Sequence, residues 1–187
     1  MLAIAGLIFM MVFLALPALQ RAQRDTQRRD DMARFAAQIS QYQTNNRGRV
    51  PNNDIATKNG YWSPSTDNAK ADAEILTTGT VGDLSYNDNN SANTWGGFLN
   101  NYMWAANDSF ADPGGTAYSV GDHGKIDSNV TSAGVSGLTA MDYIIHVWHG
   151  AICGVTEGTV EPSTSGSTRK LAFVYKLEGS GFYCGEI

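Results

Sequence analysis

No charged side chain occurs in the first twenty residues, where nineteen apolar residues and Gln20 precede Arg21. No basic residue leads that run and the helical pattern does not stop at a small-residue cleavage site, so it fits a retained segment better than a secretory signal peptide. Glycine and proline are absent between Leu19 and Asn46, so nothing there interrupts a helix. Cysteine is limited to Cys153 and Cys184, too few for a disulfide-dense scaffold. Basic residues are scarce after residue 49, six against fifteen Asp and Glu, which leaves that part at −9 and argues against nucleic-acid binding by the body of the chain. No internal repeat is present, which sets aside repeat architectures.

What the chain does have begins with a stem. Met1 to Leu19 predicts a helix of about 28 Å, just enough to cover the hydrocarbon of a bilayer. Four arginines follow within nine residues, Arg21, Arg24, Arg28 and Arg29. Arg21–Asp25, Asp25–Arg29 and Asp30–Arg34 stand four apart, where helical partners meet. Beyond them Met32, Phe35, Ala36, Ile39 and Tyr42 form an apolar stripe at helical spacing. The expectation is one helix of about 45 residues, apolar all round over 1–19 and apolar on one face over 20–46. Pro17 lacks a backbone donor and should kink or loosen the helix near Phe13, with Gly6 a second weak point. Gly48 and Pro51 end the helix.

The remainder, residues 47–187, predicts a loop-rich head of one modest core. Residues 67–76 predict a short helix, and Gly79–Thr94, twelve of whose sixteen residues are Gly, Asn, Asp, Ser or Thr, predict a loop. Trp95, Phe98, Leu99, Tyr102 and Met103 predict an amphipathic helix capped by Asn93 or Thr94. Asp112–Gly115 is a turn sequence. "DYIIHVWH" predicts a strand with Ile144, His146 and Trp148 on one face and Tyr143, Ile145, Val147 and His149 on the other. Leu171–Leu177 and Phe182–Tyr183 predict a hairpin. Two cysteines after a membrane segment favour one disulfide formed outside the cytoplasm, the alternative being two buried thiols. The arginine flank points the other way, because it would hold the head in the cytoplasm.

Chemistry is sparse. His146 and His149 are three apart on a strand, hence on opposite faces, and no glutamate stands between them, so sheet histidines are favoured over a metal site. Residues 86–91 have calcium-loop composition without its twelve-residue pattern. Cys153 with His149 could be drawn as nucleophile and base, but a disulfide explains the cysteine with fewer assumptions. Asn89, Asn107 and Asn129 begin sequons, and residues 163–167 are a serine-rich stretch able to accept glycans. Trp62, Trp95, Trp104 and Trp148 are expected in the core, with Tyr61–Trp62 the rival as an exposed adhesive patch. No catalytic residue, metal or cofactor is expected, and the chain is not expected to be an enzyme.

Taken together, "AIAGLIFMMVFLALPALQRAQRDTQRR", "YQTNNRGRVP" and the late pair Cys153 and Cys184 resemble type IV pilins. The stretch "FLALPALQRAQRDTQRR" most resembles pilins of very small bacteria that live on other bacteria, while residues 52–140 carry none of the resemblance. It implies an α+β fold in which a long kinked N-terminal helix packs on a small antiparallel sheet below a loop-rich head. Leu2, Ile4, Leu7, Ile8, Phe9, Val12, Phe13, Leu16 and Leu19 would pack in a filament core. Gly6 and Pro17 would bound a kinked or melted segment, and Met32, Phe35, Ile39 and Tyr42 would join stem to head. The implied function is a pilus subunit for adhesion, twitching motility or DNA uptake, stored in the inner membrane and then extracellular. Its partners would be copies of itself, the assembly machinery and host or other cell surfaces, with DNA disfavoured by the acidic head. The alternatives are a minor pilin, a type II secretion pseudopilin, or a membrane-anchored binding domain that does not polymerise. The family's glutamate near the processed N-terminus has no counterpart, since no acid precedes Asp25. The apolar run is also several residues short of the family's, so the mature chain is expected to start ahead of Met1, behind a basic leader.

Overall fold

The computed structural model describes residues 2–51, 60–62, 95–104, 110–126, 129–131, 143–164, 169–179 and 181–187; of these, the side chains of residues 2–8, 12, 14, 60–62, 96, 97, 100, 104, 130 and 131 are not described. The short helix expected over 67–76, the loop over 79–94 and the caps at Asn93 and Thr94 lie outside the described residues.

Helix α1 spans Leu2–Asn45, about 65 Å, and is continuous through Gly6 and Pro17. It ends where the sequence supplies a left-handed exit: Arg47 has φ 59° and Gly48 φ 76°. The Gly48 N–H then reaches back to the Gln43 carbonyl at 2.7 Å, satisfying one of the last carbonyls of the helix. Pro51 follows, buried.

The stripe on α1 meets a sheet. Strands β1 (Gly60–Trp62), β2 (Ser119–Lys125), β4 (Ile144–His149), β7 (Leu171–Lys176) and β8 (Phe182–Glu186) form one five-stranded sheet in the order β1-β2-β4-β7-β8. A second sheet holds β3 (Val130–Thr131), β6 (Thr159–Pro162) and β5 (Ala151–Cys153), in the order β3-β6-β5. The larger sheet is mixed rather than antiparallel as expected, because β2 runs parallel to β4 while β1–β2, β4–β7 and β7–β8 are antiparallel. The fold class is α+β.

Helix α2 begins at Trp95–Phe98 and widens into a π-helical turn over Leu99–Trp104. It covers the sheet beside α1. Met32, Phe35, Ile39 and Tyr42 of α1, Trp95, Phe98, Leu99 and Met103 of α2, and Val120, Ile145, Val147 and Phe173 of the sheet share one core. Phe35 is its hub, with ring centroids 5.3 Å from Phe173, 5.9 Å from Phe98, and 6.1 Å from both Trp95 and Phe110. The opposite face of the sheet packs on the small sheet through Ile126, Trp148, Ala151, Val160, Ala172 and Val174. Strand β4 is therefore buried on both faces along its whole length, which explains its near-continuous apolar run. Tyr143 lies just before it, in a turn.

A disulfide joins Cys153 at the end of β5 to Cys184 in β8, tying the small sheet to the edge strand of the large one. Glu186 accepts from the Cys153 N–H at 2.9 Å and Glu157 from the Phe182 N–H at 3.0 Å. The covalent bond thus lies between two reciprocal hydrogen bonds. At Gly185 the backbone passes so close to the Phe173 ring that a Cβ would overlap it.

Candidate functional site: the bare stem and its junction with the head

Every described side chain of α1 before Arg24 is exposed. Phe9, Met10, Met11 and Phe13 are 66–71% exposed, Leu16 45% and Leu19 56%. At 100° per residue these six point in all directions, so the segment is a bare apolar rod rather than one face of a helix. Among the described residues no helix is long and apolar enough to cross a membrane. The described apolar side chains run only from Phe9 to Leu19, and those of Leu2, Ile4, Leu7, Ile8 and Val12 are outside the description. The membrane span expected over 1–19 therefore has no support from the structure.

Where the rod enters the head, polar groups take over. Arg28 is buried and grips Asp112 with two bonds, Nε to Oδ2 at 2.6 Å and Nη2 to Oδ1 at 3.2 Å. Tyr175 donates to the same Oδ2 at 3.0 Å and the Gly114 N–H donates to Oδ1 at 2.8 Å, within the turn that the Asp112–Gly115 sequence announces. Burial by itself would raise the Asp112 pKa, but the bonds from Arg28, Gly114 and Tyr175 outweigh it and hold the carboxyl below its usual range. For Arg28 burial works to lower the pKa, and Asp112 outweighs that too, leaving it raised.

Asp25 binds the β7–β8 turn. Its two oxygens accept from the Glu178 N–H at 2.7 Å and the Gly179 N–H at 2.9 Å, and Oδ1 also meets Arg28 Nη1 at 3.2 Å. Arg24 completes the junction with a bidentate pair to Glu178. Its hydrogen bond holds the Glu178 carboxyl below the ordinary value. Further up, Tyr118 donates to Asp31 at 2.9 Å and Gln43 donates to the Arg169 carbonyl at 2.9 Å. The expected pairs Arg21–Asp25 and Asp25–Arg29 do not form. Two backbone N–H groups of the head, more than 150 residues away, and Arg28, three residues on, occupy Asp25 instead.

A second polar group sits inside the head. Asp122 Oδ2 accepts from Trp95 Nε1 and pairs with His149 Nε2, each at 2.9 Å, while Oδ1 accepts from the Gly124 N–H at 2.7 Å, closing a bulge in β2. Burial would raise the Asp122 pKa; the three partners, His149 first, outweigh it and hold it low. On the other face His123 Nε2 lies 2.8 Å from His146 Nδ1, with the His123 ring stacked on Trp148 at 4.6 Å. One ring must donate and the other accept, so this contact excludes two protonated rings. Burial pushes the His123 pKa down to about 4 and holds His146 well below its ordinary value, the neighbouring His123 adding to the effect.

His146 and His149 thus fall on opposite faces, with different partners. Among the described residues no group of three or more His, Cys, Asp and Glu is placed to hold a metal ion. The Cys153 sulfur is bonded to Cys184 and has no thiol to offer as a nucleophile. Trp95 and Trp148 are buried, 0% and 3% exposed, while the side chains of Tyr61, Trp62 and Trp104 are outside the description. Asn129 and Thr164 are exposed and Ser163 is buried; Asn89, Asn107, residues 86–91 and residues 165–168 lie outside the described residues. Sequence reasoning missed Asp112, Asp122, His123 and Glu178, whose roles come from partners distant in the chain. Comparison with family models, with curated proteins and with solved structures gave no match.

Proposed function

We propose that the chain is a structural subunit of a type IV pilus-like filament. Its N-terminal rod packs among the rods of other copies and its acidic head faces outward. The observation that carries this is the bare apolar rod, whose Phe9, Met10, Met11, Phe13, Leu16 and Leu19 stand in the open while the same helix forms the spine of a folded head. A surface of this kind is not stable in water and requires an apolar coat, either lipid or copies of itself. The clamp at Arg24, Asp25 and Arg28 supports the filament reading, because it fixes the direction in which the head stands from the rod. A plain anchor has no need of that. The disulfide fits maturation outside a reducing compartment. The sequence resemblance adds the class: a pilin fold, with storage in the inner membrane before assembly.

The test is the substitution Phe13→Asp in cells that make the protein. A charge in the packed rod should abolish surface fibres containing this chain, while the head keeps its disulfide. Fibres of unchanged abundance would refute the packing role of the rod.

A further inference from the structure

Seven arginines and three aspartates give residues 1–49 a net +4, against −9 for the rest. The head uses some of that positive charge internally. Arg24 pairs with Glu178, Arg28 with Asp112 and Asp25, and Arg34 lies 6.0 Å over the Phe110 ring. Arg21 and Arg29 are different. Each is exposed, and each stands four residues from Asp25, the one carboxylate that local helix geometry offers to both. Asp25 is occupied by the β7–β8 turn and Arg28, and no ion pair to Arg21 or Arg29 forms among the described residues. Two guanidinium groups therefore flank the junction, about 12 Å apart along the helix.

We propose that Arg21 and Arg29 form a docking strip for the acidic head of a second copy of this chain. The proposal rests on the filament reading and names the contact that sets neighbouring copies in register. Charge complementarity is built into a single sequence here, since each copy carries both the basic strip and a head of opposite sign. The described head offers Glu157, Glu161 and Glu186 near the disulfide, with Glu157 and Glu186 exposed and Glu161 partly so. Fully exposed Val155 stands in the same hairpin loop as Glu157. Lipid headgroups are the competing partner for basic residues beside an apolar segment. They do not reach both arginines. Arg29 lies about 15 Å beyond Leu19 along the helix, past the depth of an interfacial layer and level with the head's own Arg28–Asp112 bond.

The experiment measures how much of a sheared fibre preparation still sediments after incubation across a range of ionic strength. Wild-type fibres are compared with Arg21→Gln/Arg29→Gln fibres, with disulfide content as the control for folding. Exposed pairs are worth about two- to fivefold each in an association constant and weaken with salt. The wild type should lose sedimenting material as salt rises. The double variant should already lose it at low salt and respond less to further salt. A second variant, Glu157→Gln/Glu161→Gln, should reproduce that behaviour. Fibres whose salt response is the same in all three forms would overturn the docking strip while leaving the filament reading intact. So would an effect of the arginine variant confined to binding anionic vesicles. Absence of fibres from wild-type cells would instead remove the filament reading, and this contact with it.

Discussion

Replacing Arg28 by methionine removes the guanidinium and keeps most of the side chain's packing. Asp112 then stays buried, 7% exposed, with only the Tyr175 hydroxyl and the Gly114 N–H as partners among the described residues. Breaking one side of a buried pair costs about 3–5 kcal/mol, and the two remaining donors place this case near 3 kcal/mol. Asp112→Asn is not the mirror image. Arg28 would still have Asp25 at 3.2 Å and Glu178 at 3.5 Å, so the expected loss is about 1.5 kcal/mol, the lower end of the value of a hydrogen bond to a charged group. The double variant should lose less than the sum of the two, by about 1–2 kcal/mol, because the pair is in direct contact. Urea unfolding of the full chain in mild detergent, followed through the fluorescence of buried Trp95, measures all three. Urea is preferred because it adds no ionic screening. An Arg28→Met loss below about 1 kcal/mol, or a larger loss for Asp112→Asn, would refute the asymmetry.

The histidines give a pH dependence whose sign is fixed. His123 is held neutral by burial with a pKa of about 4, and His146 is also lowered by burial, so the unfolded chain takes up protons below about pH 6.5 that the folded chain refuses. Stability should be full above pH 6.5 and fall as pH drops towards 4, by about 3 kcal/mol from His123 alone. Below that, Asp112 and Asp122 add further loss as pH falls towards their lowered values, while Asp31, raised by burial, works the other way. Unfolding curves that coincide at pH 6.5 and 4.5 would contradict this. Reducing Cys153–Cys184 should lower stability by about 2–4 kcal/mol, seen as a shift of the urea midpoint with dithiothreitol; an unchanged midpoint would count against the tie between the sheets. Gly185→Ala should destabilise by about 1–3 kcal/mol, because the added methyl overlaps a Phe173 ring whose other carbons lie 2.7 and 2.9 Å away. A neutral substitution would mean that the ring moves aside freely.

Much of the helical part was legible because its signals are local. The stripe Met32, Phe35, Ile39 and Tyr42 follows helical period, and the exit at Gly48 follows from its freedom at positive φ. The β7–β8 hairpin and the buried side of α2 were visible for the same reason. Strand β2 was not. "SVGDHGK" contains two glycines and an aspartate and has the composition of a turn, yet it is held extended by parallel pairing with β4. That pairing is also why the sheet is mixed. The junction was legible only in outline. Spacing offered Arg21 and Arg29 to Asp25, whereas the partners it meets are backbone N–H groups more than 150 residues on. Asp112 gave a turn signal, and nothing nearby in the sequence connects it to Arg28. Pro17 is a helix-breaking signal in the sequence, yet α1 runs through it as one helical segment.

Electron microscopy of fibres sheared from the cell surface, with mass spectrometry of their subunit, decides whether the apolar rod packs between copies of this chain. The filament account predicts fibres built of this chain, with density for a continuous bundle of helices at the axis and Phe9 to Leu19 of every copy inside it. A chain that stays with membranes as a monomer, or fibres in which these residues face solvent, would contradict it.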